Sequence, residues 1–240
     1  MIRYFFISLT IEFWALAFSV WGQNAEPILS FFDNESNETV EMSPGESQTV
    51  QAPCDISCVA NLDYDDEEFD KVFCEWKIFK SDEGETKPLV DRFDENITYT
   101  LTESGGYGIK FIPTFINSEK NDTVELSFDF SIVISESKLI CPDGLSPNGD
   151  GINDKLNIKF QSLVKLEGYI LNRWGQKLHT FNLGNIGEGW DGMVNGKLVK
   201  DGAYLIYLDA IGSDGLHYKI RKTINVLRGY RENSDASTEP

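Results

Sequence analysis

The stretch Val72-Phe-Cys-Glu-Trp-Lys-Ile78 carries the clearest strand pattern of the chain. From Cys74 onward apolar and polar residues alternate, and this period of two is typical of a β-strand with one buried face. Cys74, Trp76 and Ile78 share that face. We therefore predict a central strand here, with Trp76 as an anchor of the core.

Similar short runs surround this strand, separated by clusters of Gly, Pro, Asn, Asp and Ser. No stretch of the region has a convincing helical period. The runs predict strands over residues 28–32, 47–51, 56–61, 71–79, 89–93, 97–102, 107–115 and 124–135. Strands of this number and spacing are typical of a β-sandwich. CEWKIF at 74–79 and TESGGYGIKF at 102–111 resemble segments of a PKD/immunoglobulin-like domain.

Charge divides the chain into two parts. Its 240 residues include 39 acidic and 21 basic side chains, a net charge of −18 at neutral pH. Residues 23–138 hold 26 acidic and 8 basic residues, whereas residues 139–240 hold 12 of each. This boundary predicts two modules, of which the first is acidic. Nucleic-acid affinity depends on Lys and Arg, so no nucleic-acid partner is expected.

The first 22 residues have the composition of a secretory signal peptide. Arg3 forms a short basic region, residues 4–20 are largely apolar and aromatic, and Gly22 offers a small residue for cleavage. An uncleaved membrane anchor is the alternative. No later segment approaches the ~20 apolar residues that a membrane helix needs. We therefore expect an exported protein that is not an integral membrane protein.

Export places the four cysteines in an oxidising compartment, where disulfides are the default. Four cysteines allow three connectivities, and the sequence alone does not choose among them. Cys58 and Cys74 lie on strand faces with a buried pattern, which favours a Cys58–Cys74 disulfide between two sheets. Cys54 and Cys141 then remain, and their pairing would staple the two modules together.

The second half of the chain is again rich in strand-like runs, over residues 156–160, 166–171, 177–181, 202–211 and 218–227. Four motifs punctuate these runs. In order they are CPDGLSPNGDGIND at 141–154, NRWGQK at 172–177, GWDG at 189–192 followed by NGK at 195–197, and GAY at 202–204.

In this order and spacing the motifs resemble those of the gliding-motility-associated C-terminal domain. That family is the type B sorting domain of cargo for the type IX secretion system in Bacteroidota. The resemblance implies an immunoglobulin-like sandwich, the outer-membrane secretion machinery as partner, and a location at the cell surface or outside the cell. The sorting-motif residues that it implies are Ser146, Pro147, Asn148, Gly149, Asp150, Gly151, Asn153, Asp154, Asn172, Arg173, Trp174, Gly175, Trp190, Asp191 and Gly192.

The predicted organisation is therefore all-β, with two immunoglobulin-like β-sandwich domains in tandem after a signal peptide. The signal peptide occupies residues 1–22, the acidic PKD/immunoglobulin-like sandwich 23–138 and the sorting-like sandwich 139–228. Residues 229–240 form a polar tail for which we predict disorder.

The loop at 146–154 spaces oxygen donors at alternate positions, as a calcium loop does. Asn148, Asp150 and Asp154, together with the carbonyl of Ile152, could wrap Ca²⁺, the only cofactor that the sequence suggests. The bidentate acid of an EF-hand is missing from this pattern. The alternative is an Asx/Gly turn that side-chain-to-backbone hydrogen bonds hold together.

No catalytic constellation accompanies the two histidines, His179 and His217, so we predict no enzyme. Trp174 and Trp190 are interpreted as core or corner aromatics, with a sugar platform as the alternative. The predicted function is an exported, non-catalytic protein whose acidic domain is a spacer or binds a surface protein or glycan. The alternatives are a carbohydrate-binding or carbohydrate-processing accessory protein, and a subunit that polymerises by strand exchange.

Overall fold

The structure has strands in both halves of the chain, as the sequence patterns predict. The computed structural model describes residues 23–33 and 36–228, whose regular elements are strands and one 3₁₀ turn. The predicted signal peptide at 1–22 and the predicted disordered tail at 229–240 lie outside the described residues. No helix of the described part is long and apolar enough to cross a membrane.

The first domain, the name used here for residues 23–138, contains twelve strands before the boundary region. They are β1 (Gln23–Ala25), β2 (Ile28–Asp33), β3 (Glu38–Met42), β4 (Ser47–Val50), β5 (Cys54–Val59), β6 (Leu62–Tyr64), β7 (Lys71–Lys80), β8 (Val90–Arg92), β9 (Asn96–Leu101), β10 (Gly105–Asn117), β11 (Asp122–Glu125) and β12 (Phe128–Ile134).

Two sheets form the sandwich of the first domain. One has the order β3-β2-β5-β9, and the other has the order β4-β12-β10-β7-β8 with β11 also paired to β10. Trp76 is fully buried between them, its ring centroid 4.3 Å from that of Phe111. Its Nε1–H donates to the carbonyl of Glu95 at 3.2 Å, which satisfies the one polar atom of the side chain. The prediction of Trp76 as core anchor is confirmed.

The second domain, residues 139–228, contains the 3₁₀ turn, Ile186–Glu188, and the remaining strands, of which the first begins one residue earlier, at Lys138. The strands are β13 (Lys138–Ile140), β14 (Gly144–Leu145), β15 (Lys159–Gln161), β16 (Leu163–Leu171), β17 (Lys177–Phe181), β18 (Met193–Val194), β19 (Lys197–Leu198), β20 (Gly202–Gly212) and β21 (His217–Val226).

A five-stranded sheet of order β14-β21-β20-β16-β17 forms one layer of the second domain. The short pairs β13–β15 and β18–β19, with the loops between them, cover its apolar face. The buried residues between the layers form a second core, distinct from that of the first domain; its centre includes Leu156, Ile170, Trp190, Ile206 and Ile224. The all-β prediction of two sandwiches in tandem is confirmed.

Two of the predicted strands differ from the observed ones in their bounds. The predicted strand 124–135 is two strands, β11 and β12, which keep one register along β10. The interruption lies opposite Pro113, which has no N–H for the ladder. The predicted strand 156–160 starts later, because Leu156 instead forms an isolated bridge with Trp190.

The two domains meet at a contact that we call the seam, formed by Ala52, Ser104, Ser135, Ser162 and Ser213. The backbone N–H of Ala52 donates to Ser162 Oγ at 3.2 Å, and the N–H of Ser104 donates to the carbonyl of Ser213 at 3.0 Å. Ser213 Oγ donates to the carbonyl of Ser135 at 3.1 Å. β16 starts at the seam and β20 ends there, so the seam marks one pole of the second domain.

Candidate functional site: the far pole of the second domain

Strand direction brings the four motifs to one end of the second domain. β16 runs away from the seam and ends just before the 172–175 segment, and its partner β20 starts at Gly202 at the same end. β14 pairs with the end of β21, with Leu145 opposite Val226, so the loop after Leu145 also starts here. We call this end the far pole, because the seam lies at the opposite one.

The NRWG motif forms the tight turn between β16 and β17. Asn172 Oδ1 accepts the backbone N–H groups of Trp174 and Gln176, each at 3.0 Å. Gly175 has a φ of 81°, a left-handed conformation that glycine adopts without strain. The turn holds Trp174 at a hairpin corner, where it is 76% exposed, and the guanidinium carbon of Arg173 lies 4.2 Å from the ring centroid.

The GWDG motif places its tryptophan in the core instead. Trp190 is 1% exposed, and its Nε1–H donates to the carbonyl of Met193 at 3.2 Å. Gly189 has a φ of 68°, and a Cβ there would lie 3.0 Å from the carbonyl oxygen of Leu156. The Trp190 ring contacts Tyr204 of the GAY motif, with 6.0 Å between the ring centroids. The third and fourth motifs are therefore in contact.

The first and third motifs also meet. A Cβ built on Gly192 would lie 3.5 Å from Pro147 Cγ. Beside them, Asp191 Oδ1 accepts the backbone N–H of Met193 at 2.9 Å and fixes the turn that follows Trp190. The motif positions that are distant in sequence are thus structural neighbours at the far pole.

Hydrogen bonds fold the 146–154 loop around the carboxylate of Asp154. This group accepts the backbone N–H groups of Asn148 at 3.0 Å, Gly149 at 2.8 Å and Gly151 at 2.8 Å. The bonds from Gly149 and Gly151 contribute most to holding the pKa of Asp154 below its usual value, because they stabilise the charged form. The loop is closed at its base by the N–H of Ser146, which donates to the carbonyl of Asn153 at 2.7 Å.

The oxygens that the sequence indicates for calcium are engaged by donors within the loop. Asp150 Oδ2 accepts Asn148 Nδ2–H at 2.8 Å, and the carbonyl of Ile152 accepts Ser146 Oγ–H at 3.1 Å. No group of three or more His, Cys, Asp or Glu side chains that could hold a metal ion occurs in 23–33 or 36–228. These contacts favour the Asx-turn alternative; calcium at Asn148, Asp150, Ile152 and Asp154 stays a prediction.

All four cysteines are buried and carry free thiols. Cys58 on β5 and Cys74 on β7 lie in opposite sheets of the first core, whereas Cys54 and Cys141 belong to the first and the second core respectively. Burial raises the pKa of Cys58 to about 12, and burial followed by nearby carboxylates raises that of Cys54 to about 11. Both disulfide pairings stay predictions.

A groove of about 470 Å³ opens at the far pole, between the 172–174 turn and the 197–204 segment. Four half-buried apolar side chains contribute to its lining: Leu178, Val194, Leu198 and Val199. Trp174 and Tyr204 add aromatic surface to it. The groove therefore combines residues of the second and fourth motifs with residues between them.

The charged lining of this groove is mainly basic. Arg173, Lys197 and Lys200 line it together with one carboxylate, Asp201, which is hydrogen-bonded to Arg228 Nε. Because that acid has a cationic partner, the groove keeps an excess of positive charge. We call it the basic groove.

Sequence reasoning identified the two ends of the basic groove but not the groove itself. Lys197 is part of the NGK segment at 195–197, whereas Lys200 lies outside the four motifs, and the fold brings both to the groove that Arg173 lines. His179, one of the two histidines without a catalytic constellation in the sequence, lies next to the core. Its ring is 4.6 Å from that of Phe181, and its Nε2 is buried without a hydrogen-bond partner.

Residues 139–224 match the family described as CHU_C Type IX secretion signal domain. No curated protein sequence matches the chain.

Among solved structures, latent PorU from Porphyromonas gingivalis is similar over 84% of this chain at 14% identity, with a TM-score of 0.24. The chain covers 20% of the length of the PorU chain. The FN1–FN3 domains of chicken CNTN1 align over 82% of this chain and 76% of their own, at 9% identity and a TM-score of 0.26. The fibronectin(III)-like modules of CbhA from Clostridium thermocellum align over 79% of this chain and 94% of their own, at 11% identity and a TM-score of 0.22.

Proposed function

We propose that the chain, whose residues 139–224 belong to the type IX secretion signal domain family, is a non-catalytic exported protein. The signal domain marks the chain as cargo that crosses the cell envelope to the cell surface or the extracellular space. Residues 139–228 serve as the export address in this proposal. Residues 23–138 serve as an acidic recognition or spacer domain.

The observation that carries the proposal is the gathering of all four motifs at the far pole. A surface that must be recognised during export has to remain accessible while the rest of the cargo is attached. The seam occupies the opposite pole, and the strands between the poles fix this separation. The arrangement therefore supports a recognition role for the far pole.

The first domain has an acidic loop that is anchored to its sheet and carries Asp65, Asp66 and Glu67. Phe69 is buried against Phe115, with 5.9 Å between ring centroids, and this contact ties the loop to the sheet. Asp65, Asp66 and Glu67 beside it are exposed. Such a display supports recognition of a basic partner, or repulsion from other acidic surfaces if the domain is a spacer.

The non-catalytic assignment rests on the surroundings of the two histidines. His179 packs against aromatic rings, and burial lowers its pKa. His217 is exposed at the start of β21, in the hairpin to β20. Neither setting supports the pairing of a nucleophile with an oriented base on which hydrolytic triads depend.

Export of the full chain tests the proposal. The chain is expressed with an epitope tag in a host that has the type IX machinery, and a second version lacks residues 139–228. We expect the full chain on the cell surface or in the medium and the shortened chain in the periplasm. Equal export of both versions, or periplasmic retention of both, would contradict the assignment of the address.

The carbohydrate-accessory alternative has one observation in its favour, the largely exposed ring of Trp174. Exposed tryptophans can stack on sugar rings. Affinity electrophoresis through gels that contain soluble polysaccharides distinguishes the two functions. Retardation of the full chain that Trp174→Ala removes would support the alternative.

A further inference from the structure

We propose that the basic groove at the far pole binds an acidic, extended peptide segment of the export machinery. This inference rests on the proposed function, because it names the part of the export address that the machinery contacts. The occupant is a peptide with several carboxylates and at least one apolar side chain.

The chemistry of the lining indicates an occupant with both apolar and anionic groups. The groove offers half-buried aliphatic side chains and the exposed ring of Trp174, surfaces that gain from being removed from water. Arg173 and Lys200 stand beside them, and Arg173 is already positioned against the Trp174 ring. A carboxylate near Arg173 would meet its planar guanidinium, a multidentate donor whose orientation the contact with the Trp174 ring sets in advance.

Charge complementarity selects an acidic partner rather than a basic one. Arg173, Lys197 and Lys200 contribute positive charge, and Arg228 occupies the one acidic lining residue, Asp201. This excess is local, because the chain as a whole carries a net charge of −18. An acidic partner would be repelled by the first domain and attracted at the far pole, which fixes the orientation of the encounter.

The position of the groove makes it accessible in the intact chain. β20 spans Gly202–Gly212 between the far pole and the seam, and 11 extended residues cover roughly 35 Å. The first domain contacts the second at the seam end of this distance. A segment of the machinery can therefore occupy the groove without displacing the first domain.

The test is an export assay on the full chain with surface charges reversed. Arg173→Glu combined with Lys200→Glu reverses two cations of the groove. Lys165→Glu combined with Lys219→Glu makes the same charge change on exposed strand positions closer to the seam. We expect the groove variant to lose at least tenfold of its exported fraction and to accumulate in the periplasm, while the control variant is exported as the wild type is.

The outcomes separate this inference from the proposed function. Failure of the wild-type chain to be exported would overturn both. Normal export of the groove variant alongside the wild type would overturn the groove and leave the address assignment intact. Loss of export in Trp174→Ala without loss in the charge-reversed variant would also overturn it, because the occupant would then not be acidic.

A binding measurement covers the case in which a variant is degraded before export. The purified full chain is titrated with a ten-residue oligoglutamate peptide, and tryptophan fluorescence reports contact with the exposed Trp174 ring. We expect a saturable change with the wild type and the control variant, and at least a tenfold weaker response with the groove variant. Equal responses of all three proteins, or no response with the wild type, would contradict the proposal. Circular dichroism shows in parallel that each purified variant is folded.

Discussion

Ser162 Oγ in the second domain lies 2.8 Å from Ser135 Oγ at the end of the first. Ser162 is only 1% exposed and also accepts the backbone N–H of Ala52. One hydroxyl group thus contacts a side chain and a backbone group of the preceding domain. The two sandwiches are joined by directional polar contacts as well as by the covalent chain.

Replacement of Ser162 by alanine should weaken the seam. The buried N–H of Ala52 would lose its acceptor, and an unsatisfied buried donor costs about 1–3 kcal/mol. We expect urea unfolding to show a free energy of unfolding lower by about that amount. Ser47→Ala at an exposed position of β4 is the matched control. A Ser162 variant as stable as the Ser47 variant would show that the contact contributes nothing.

Gly189→Ala should destabilise the second domain more than Gly196→Ala. Both glycines have positive φ, 68° and 74°, so a side chain strains the backbone at either position. Only at Gly189 would the added Cβ also approach Asn157 Oδ1 at 2.7 Å and Leu156 O at 3.0 Å, whereas Gly196 faces open space. We expect the Gly189 variant to lose about 1 kcal/mol more in thermal or urea unfolding. Equal losses would show that the loop adjusts freely.

The second domain should lose stability as the pH falls below about 6.5, the usual pKa of histidine. Burial holds the pKa of His179 below this value in the folded state, so the unfolded state binds its proton first. The effect is under about 1 kcal/mol between pH 7.5 and 5.5, because solvent reaches part of the ring. His179→Phe should show a smaller decrease in urea unfolding over this range, whereas His217→Gln should retain it. A decrease of the same size in the His179 variant would refute this cause.

The thiol of Cys58 should react slowly in the folded, reduced protein. A pKa of about 12 instead of 9.0 lowers the thiolate fraction at pH 8, by roughly a thousandfold. We expect mass spectrometry after iodoacetamide treatment to find Cys58 alkylated in urea but not in buffer. Rapid alkylation in buffer would show that the β5 region opens.

The predicted Cys58–Cys74 disulfide can be tested on the exported protein itself. Non-reducing peptide mapping should find Cys58 joined to Cys74. We expect the bond to form before the first core is closed, because the buried thiols react slowly afterwards. Refolding with and without reductant provides the comparison. A map that joins Cys58 to Cys54 would refute the pairing.

Local patterns predicted the strands well, because period-two alternation depends on the strand itself. Trp76 was identifiable as a core residue from its neighbours Cys74 and Ile78, all of which are buried. The second half was identifiable from motifs whose glycines and asparagines form tight turns, as at Asn172 and Gly175. These features are encoded within a few residues of one another.

The long-range contacts could not be predicted in this way. The opposite environments of Trp174 and Trp190 follow from one lying at a hairpin tip and the other beneath a sheet, although both stand beside a glycine. The seam joins serines whose local sequences are ordinary, and the basic groove joins lysines and an arginine from separate strands and turns. Both depend on how the strands are ordered in the sheets.

The seam has a consequence for how such a domain can be reused. The first domain supplies to it the N–H groups of Ala52 and Ser104, and the carbonyl and the hydroxyl of Ser135. Apart from the Ser135 hydroxyl, these are main-chain groups, which every polypeptide possesses, so the contact makes few demands on the side chains of the first domain. A docking surface of this kind can be transplanted: a different sandwich with a similar backbone path needs only a hydroxyl at the position of Ser135 to make the same contacts.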